Sequence, residues 1–221
     1  MNDIFTTSVF RFPYTDFQFP GQSTDEEILY VTREAPIVLT IKRLGVIGVA
    51  LLMIFGGLFL SSLPPEISPA IIASAQMLFI IFGVIFGVIG WWWVSVLWKK
   101  SLFILTNRRL TKFIYVTPWN RYNLSVTLDK IENTGAYNRG NFEAFFKVGT
   151  LTARSSAGNR EEKYFFVTRI KAAEDLANYI NKLLFIFHHN PQQLVKFRPF
   201  LPHLKGERRK MFMQSYPEYW S

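Results

Sequence analysis

Two adjacent arginines carry the clearest binding chemistry in this sequence. Arg108 and Arg109 lie in LTNRRL (105–110), where a tight turn is predicted between two strands. A guanidinium offers paired donors that match phosphate oxygens, so this turn is a candidate phosphate contact. The alternative, which the shortness of the turn favours, is that both arginines stabilise the turn and solvate its tip.

Catalytic and metal-binding chemistry has few candidates here. The three histidines, His188, His189 and His203, all follow the last predicted strand and helix, and the chain has no Cys. No acidic residue stands at metal-ligand spacing from them, and neither a nucleophile motif nor a glycine-rich phosphate loop occurs. We therefore predict no enzymatic activity, no bound metal and no cofactor.

Four basic residues flank one long apolar stretch: Lys42, Arg43, Lys99 and Lys100. Between Leu44 and Trp98 the only charged residue is Glu66. An apolar run of about 18 residues is long enough to cross a bilayer, and this stretch has room for two such runs. LPPEISP (63–69) separates them, because proline disfavours helix.

This stretch predicts a transmembrane helical hairpin over residues 42–99, with spans at about 44–63 and 70–93. Basic residues that flank spans stay on the cytoplasmic side, so both termini are expected in the cytoplasm, with the protein in the inner or plasma membrane. The same four basic residues are candidate contacts for anionic lipid. Neither span contains an ionisable residue, which argues against transport by the hairpin alone. Its glycines are expected to pack the two helices together.

Four tryptophans lie toward the cytoplasmic end of the second span: Trp91, Trp92, Trp93 and Trp98. Indole rings are enriched at the headgroup level of membranes because they are apolar with one polar N–H group. This cluster is predicted to anchor the hairpin at the membrane interface.

The hydrophobic period changes to two after Lys100, which predicts a run of short antiparallel strands. KAAEDLANYINKLLFIF (171–187) then has helical periodicity with one apolar stripe. Residues 100–187 are thus a small antiparallel β-domain capped by a helix. Residues 1–41 form an aromatic and acidic arm with a short strand. Residues 188–221 form a basic, aromatic tail, for which a segment lying on anionic lipid is preferred over disorder and over nucleic-acid binding.

Several short motifs resemble those of the bacterial PH-like membrane proteins of the YdbS-like family. They are, in chain order, FPGQSTDEEILYVTREAPIVL (19–39), LTNRRL (105–110), LDKIENT (128–134) and KVGTL (147–151). The resemblance implies an α+β membrane protein. Its two-helix transmembrane hairpin would carry a small cytoplasmic β-sandwich or open barrel of PH-like type, with a C-terminal helix as its cap.

The expected function is that of a non-enzymatic, membrane-anchored PH-like module. Such a module would bind a partner protein or anionic lipid headgroups at the cytoplasmic face. Its expected partners are membrane lipids and a protein partner or a second copy of the chain, and no nucleic acid is expected. The alternative function is that of an accessory subunit in a multi-span transporter or secretion assembly.

Overall fold

The computed structural model describes residues 2–5, 12, 14, 17–62, 68–156, 163–201 and 207–217. Glu66 and His203 lie outside these ranges. The α-helices are α1 (Pro36–Phe59), α2 (Pro69–Lys100), α3 (Gly140–Phe145), α4 (Ala173–His189) and α5 (Glu207–Ser215).

Nine strands form three sheets in the described part of the chain. The strands are β1 (Asn2–Asp3), β2 (Phe17–Gln18), β3 (Ile28–Thr32), β4 (Leu102–Thr106), β5 (Arg109–Tyr115), β6 (Arg121–Thr127), β7 (Ile131–Tyr137), β8 (Val148–Ser155) and β9 (Tyr164–Lys171). β1 and β2 form a short parallel pair, while β3-β4-β5-β6 and β7-β8-β9 are antiparallel sheets. The antiparallel strands and the cap helix predicted after Lys100 are confirmed.

The helical hairpin is inserted between two neighbouring strands of one sheet. β3 precedes the hairpin and β4 follows it, yet Val31 pairs with Ile104 and Thr32 pairs with Phe103. The sequence-based boundaries, by contrast, place the strand near residue 28 in the arm and begin the β-domain at residue 100. The pattern of one short strand does not reveal a partner that lies beyond the whole hairpin. The domain therefore includes residues from both sides of it.

Both long helices extend beyond the predicted spans on the side of the sheets. α1 has 24 residues and α2 has 32, and each is long and apolar enough to cross a membrane by length and composition. At 1.5 Å per residue α2 is about 48 Å long, which exceeds the roughly 30 Å of a bilayer core. The Ser101 amide still bonds to the Leu97 carbonyl, and β4 begins at the next residue. α2 therefore passes directly into β4.

Glycines bring the two helices into close contact. Those at the contact are Gly57, Gly83, Gly87 and Gly90, whereas Gly45, Gly48 and Gly56 face open space. A Cβ on Gly83 would lie 2.7 Å from Cγ1 of Ile54, closer than such atoms approach, and 3.0 Å from the Ala50 carbonyl oxygen, which is a tight contact. The prediction that glycines pack the hairpin is confirmed for the first group.

The core lies between the two antiparallel sheets and beneath α4. Leu176, Ile180 and Leu183 of α4 are fully buried against it, as the apolar stripe predicts. Asn181 fixes the helix to β7, since its side chain accepts from the Thr134 amide and donates to the Thr134 carbonyl. Burial of apolar surface at this interface is the main force that holds the cap in place.

The described part of the C-terminal tail packs on the domain. The Phe200 amide donates to the Leu29 carbonyl at 2.9 Å, and the Phe200 ring lies edge-on to Tyr30 at 4.9 Å. Farther along, the Tyr216 hydroxyl donates to the Phe12 carbonyl at 3.0 Å. Phe200 is 7 % exposed, so its side chain belongs to the core, whereas the expectation that the tail lies on anionic lipid stays a prediction. Aromatic side chains of the arm and the tail also contact each other, since the Phe12 and Phe212 ring centroids lie 5.0 Å apart.

Candidate functional site

Antiparallel pairing places a defined set of loops at the end of the sheets that carries the hairpin. Because β5 runs back toward the hairpin, its last residue, Tyr115, donates its amide to the Ser101 hydroxyl at 3.1 Å. Val148, at the start of β8, packs against Ala35 and Val38 at the start of α1. We call this the hairpin end of the domain. The turn between β4 and β5 lies at the opposite end.

A cleft opens at the hairpin end, between the last turns of α2 and the four-stranded sheet. It has a volume of about 340 Å³. Val94, Leu97 and Trp98 of α2 form one wall, and side chains of β4, β5 and β9 form the others. A volume of this size falls within the usual range for small-molecule sites. The cleft is therefore large enough for a compact ligand such as a lipid headgroup.

The cleft carries three cationic side chains and one carboxylate. Arg33 is 8 % exposed, and Lys112 donates to the Phe166 carbonyl at 3.0 Å. Lys42 forms an ion pair with Glu34 at 2.6 Å. The local balance is thus positive, which suits an anionic ligand.

Burial sets the electrostatics of two of these cations. It lowers the pKa of the Arg33 guanidinium to about 10. It also lowers the pKa of Lys112, and the nearby Glu34 carboxylate opposes that change. Both shifts have the same physical origin: a cation that loses water favours its neutral form. An anion bound in the cleft would restore the favourable environment for both charges.

Trp98, predicted as a membrane anchor, forms part of the wall of the cleft. Its indole N–H donates to the Glu34 carbonyl at 3.0 Å, and the Arg33 guanidinium lies 5.1 Å from its ring centroid. The ring therefore connects α2 to the loop that follows β3. This contact fixes the position of Arg33 relative to the helix.

The four flanking basic residues have different surroundings. Arg43 donates from Nε and Nη2 to the Ser95 hydroxyl, at 3.1 and 2.8 Å, and its guanidinium lies 4.4 Å from the Trp91 ring centroid. Lys100 donates to the Pro118 carbonyl at 2.9 Å. Lys42 pairs with Glu34 as described above, and Lys99 is exposed. All four lie at the hairpin end, so the structure brings them together as the hairpin prediction requires.

The remaining tryptophans surround the adjacent part of α2. Trp91 and Trp92 are exposed, and Trp93 packs edge-on against Trp119 with ring centroids 5.8 Å apart. Trp119 belongs to the turn between β5 and β6 and was not among the predicted site residues. Its place in the loop TPWNRYN (117–123) was visible in the sequence, but its contact with α2 depends on how the strands fold back.

Arg108 and Arg109 lie away from the hairpin end. β4 separates them from α2, and its five residues correspond to about 13 Å between first and last Cα atoms. The carboxylate of Glu26 accepts from Arg109 Nε and Nη2, each at 2.8 Å, and from the Thr106 hydroxyl at 2.8 Å. Arg108 forms an ion pair with Asp25. The contacts favour the alternative in which these arginines stabilise the turn.

Glu26 and Arg109 form a largely buried ion pair. The Glu26 side chain is 1 % exposed, and that of Arg109 is 25 % exposed. Burial raises the pKa of the Glu26 carboxyl, but hydrogen bonds from Arg109, the Ser23 amide and Thr106 together lower it below its ordinary value. The pair connects the arm to the start of β5. A phosphate at Arg109 would have to compete with this carboxylate.

The described histidines make local contacts on α4. His189 lies 4.3 Å from the Phe185 ring centroid, with its Nδ1 2.9 Å from the Phe185 carbonyl, and His188 packs edge-on against Phe187. Among the residues that the structure describes, no group of three or more His, Asp or Glu side chains is arranged to hold a metal ion. The predicted absence of enzymatic activity stays a prediction.

Comparison with known proteins gives little further information. No family model matches the chain, and no curated protein matches it. A crystal structure of a DUF1696 family protein with a pleckstrin-homology domain, from Shewanella loihica PV-4, is similar over 40% of this chain and 70% of that chain. The sequence identity is 22% and the TM-score is 0.29. The class that the structure itself defines is a mixed α/β chain with two antiparallel sheets and two long apolar helices.

Proposed function

We propose that this protein is a membrane-anchored binding module whose cleft holds the phosphate of an anionic lipid headgroup. The hairpin crosses the membrane, and the β-domain, of PH-like type, lies on the cytoplasmic side. The order of four strands, three strands and one capping helix supports the PH-like assignment. The function is binding and not catalysis.

The cationic cleft is the observation that carries this proposal. Arg33 and Lys112 are held in it by a tryptophan and a backbone carbonyl, beside the part of α2 where the apolar stretch ends. A phosphodiester of a neighbouring lipid can reach this position without leaving the membrane surface. Charge-assisted bonds to its oxygens would offset the cost of burying the two cations.

The positions of the four basic residues that flank the hairpin support a cytoplasmic β-domain. Lys42, Arg43, Lys99 and Lys100 lie together at the hairpin end, and basic residues next to spans stay in the cytoplasm. If so, the β-domain and both termini share that compartment. Reporter fusions at either terminus should therefore read cytoplasmic. Neutral replacement of all four basic residues should weaken this bias, and an unchanged orientation would contradict the charge argument.

Headgroup selectivity tests the proposal. The full chain in a nonionic detergent would be titrated by calorimetry with dihexanoyl phosphatidylglycerol, dihexanoyl phosphatidylcholine and inorganic phosphate. We expect the anionic lipid to bind more tightly than the other two. Lys112→Gln should weaken that binding by about tenfold, the value of one charge-assisted hydrogen bond. Lys130→Gln is the matched control, since Lys130 is exposed at the opposite end of the domain.

Three results would count against the proposal. Equal affinity for the two lipids would remove the anionic headgroup as the ligand. Inorganic phosphate binding as tightly as the anionic lipid would make the ligand a free anion. Finally, a stoichiometric multi-span protein that copurifies with the chain, with no lipid preference, would support the accessory-subunit alternative instead.

A further inference from the structure

The turn between β5 and β6 presents a large aromatic side chain beside the hairpin. Trp119 is 78 % exposed although its ring contacts Trp93 of α2. Val116, at the start of the same turn, is 56 % exposed. An exposed pair of this kind is unfavourable in water because apolar surface remains hydrated.

The turn is held firmly in this position. The Val116 amide donates to the Asn120 carbonyl at 3.1 Å, and the Asn120 amide donates to the Thr117 hydroxyl at 2.9 Å. Lys100 donates to the Pro118 carbonyl at 2.9 Å, which connects the turn to the last residue of α2. The exposure of Trp119 is therefore a property of a closed turn that is fastened to the hairpin.

The depth of Trp119 follows from its neighbour on α2. Trp93 is two residues from Trp91, or about 3 Å along the helix axis. Trp91 is the ring on which Arg43, the last charged residue before the apolar part of α1, is stacked. This level marks the boundary between the apolar and the charged parts of the hairpin. Indole rings concentrate at the equivalent level of membrane proteins.

We propose that the turn at residues 116–120 inserts Trp119 and Val116 into the interfacial layer of the membrane that the hairpin crosses. This inference rests on the proposed membrane anchoring and adds a contact made by the β-domain itself. The turn then restrains the tilt of the domain, because it touches the membrane at a point beside the hairpin. Lys99, which is exposed near the turn, is placed to meet anionic headgroups.

Single cysteines provide the test, since the natural chain has none. Trp119→Cys and Val116→Cys would each be labelled with an environment-sensitive fluorophore and the full chain reconstituted into phosphatidylcholine–phosphatidylglycerol vesicles. Lipids that carry spin labels at the headgroup or deep in the acyl chain then quench the probe according to depth. Leu52→Cys reports on the hairpin, because Leu52 is 74 % exposed on α1.

Phe185→Cys is the control for the domain surface. Phe185 is 61 % exposed and lies about 18 Å along α4 from Ala173, which packs at the hairpin end against Gly149. We expect blue-shifted emission and a loss of signal with shallow spin labels at positions 116 and 119, and neither effect at position 185. Deep labels should quench the probe at position 52 most strongly.

The outcomes separate the two proposals. If the probes at 116 and 119 both behave like the probe at 185 while position 52 is quenched, the turn does not enter the membrane and the hairpin proposal stands. If position 52 is not quenched by any lipid, the hairpin does not cross the bilayer, and the inference about the turn is overturned with it.

Discussion

Thr32 and Phe103 are paired across two adjacent antiparallel strands, although the whole helical hairpin separates them in the sequence. The domain therefore holds the hairpin at both of its ends. α1 begins four residues after Thr32, and α2 ends three residues before Phe103. A hairpin attached in this way cannot rotate freely against the sheet, so it fixes the orientation of the domain relative to the two long helices.

Shortening the hairpin to a turn should leave the β-domain folded. Paired strand ends lie about 5 Å apart, a gap that a two-residue Asn-Gly turn closes. We expect a chain with Asn-Gly in place of residues 34–101 to be soluble and to unfold cooperatively in denaturant. Residues 100–187 alone should not, because they lack Leu29 and Val31, which are buried in the core. Cooperative unfolding of that fragment would contradict the shared sheet.

Adding a methyl group at the helix contact should loosen the hairpin. Gly83→Ala places a Cβ against Ile54 and the Ala50 carbonyl, and overpacking of this kind costs about 1 to 3 kcal/mol. Gly48→Ala is the control, since Gly48 faces open space and alanine favours helix. Thermal unfolding in detergent, followed by tryptophan fluorescence, should show a lower midpoint for the first variant and no loss for the second. Equal midpoints would show that the helices are not in close contact there.

Breaking the buried ion pair should destabilise the domain. Glu26→Gln leaves the partly buried Arg109 guanidinium without its carboxylate, for an expected loss of about 3 kcal/mol in the free energy of unfolding. Asp25→Asn is the matched control, because the Asp25–Arg108 pair is exposed and contributes little. The change in the free energy of unfolding of each variant would be measured by denaturant unfolding of the full chain.

Low pH should remove the contribution of the Glu26 carboxylate to the free energy of unfolding. The pKa of Glu26 is lowered on folding, so its stabilising effect is present above its ordinary value of 4.5 and is lost as pH falls through the folded value. The difference in unfolding free energy between the natural chain and Glu26→Gln should therefore shrink below pH 4.5. A difference that stays constant with pH would mean that the carboxylate charge is not the source of the stability.

Alkaline pH should weaken headgroup binding in the cleft. Burial lowers the pKa of Lys112, so it loses its charge below its ordinary pKa of 10.5. The affinity for dihexanoyl phosphatidylglycerol should fall over that range in the natural chain, and less steeply in Lys112→Arg, which keeps its charge. Identical pH profiles for the two chains would exclude Lys112 as a ligand.

The hairpin and the strands after it could be predicted because their signals are local. An apolar run between Leu44 and Trp98 and a period of two after Lys100 can each be recognised within a short window of sequence. The cap helix has an equally local signal in its apolar stripe. These elements are present in the structure, and the two long helices differ from the predicted spans mainly in where they begin and end.

What could not be predicted depends on contacts between distant residues. The pairing of β3 with β4 joins segments on either side of the hairpin, and the cleft combines Arg33, from the loop that follows β3, with Lys112 of β5. Arg109 looked available for phosphate because its partner, Glu26, lies far back in the arm. Trp119 looked like one aromatic residue in a loop until the strand fold-back placed it beside Trp93.

A cysteine cross-link tests the central claim, that the strands on either side of the hairpin pair with each other. Val31→Cys and Ile104→Cys would be combined in the full chain, with a protease site inserted between the two long helices. Opposed residues on neighbouring strands have Cβ atoms close enough for a disulfide. After oxidation and cleavage, the two fragments should stay joined on a non-reducing gel. The control chain combines Val31→Cys with Ile114→Cys, because Ile114 lies on β5, which does not pair with β3. Its two fragments should separate on the same gel. Separation of the fragments in both chains would contradict the account.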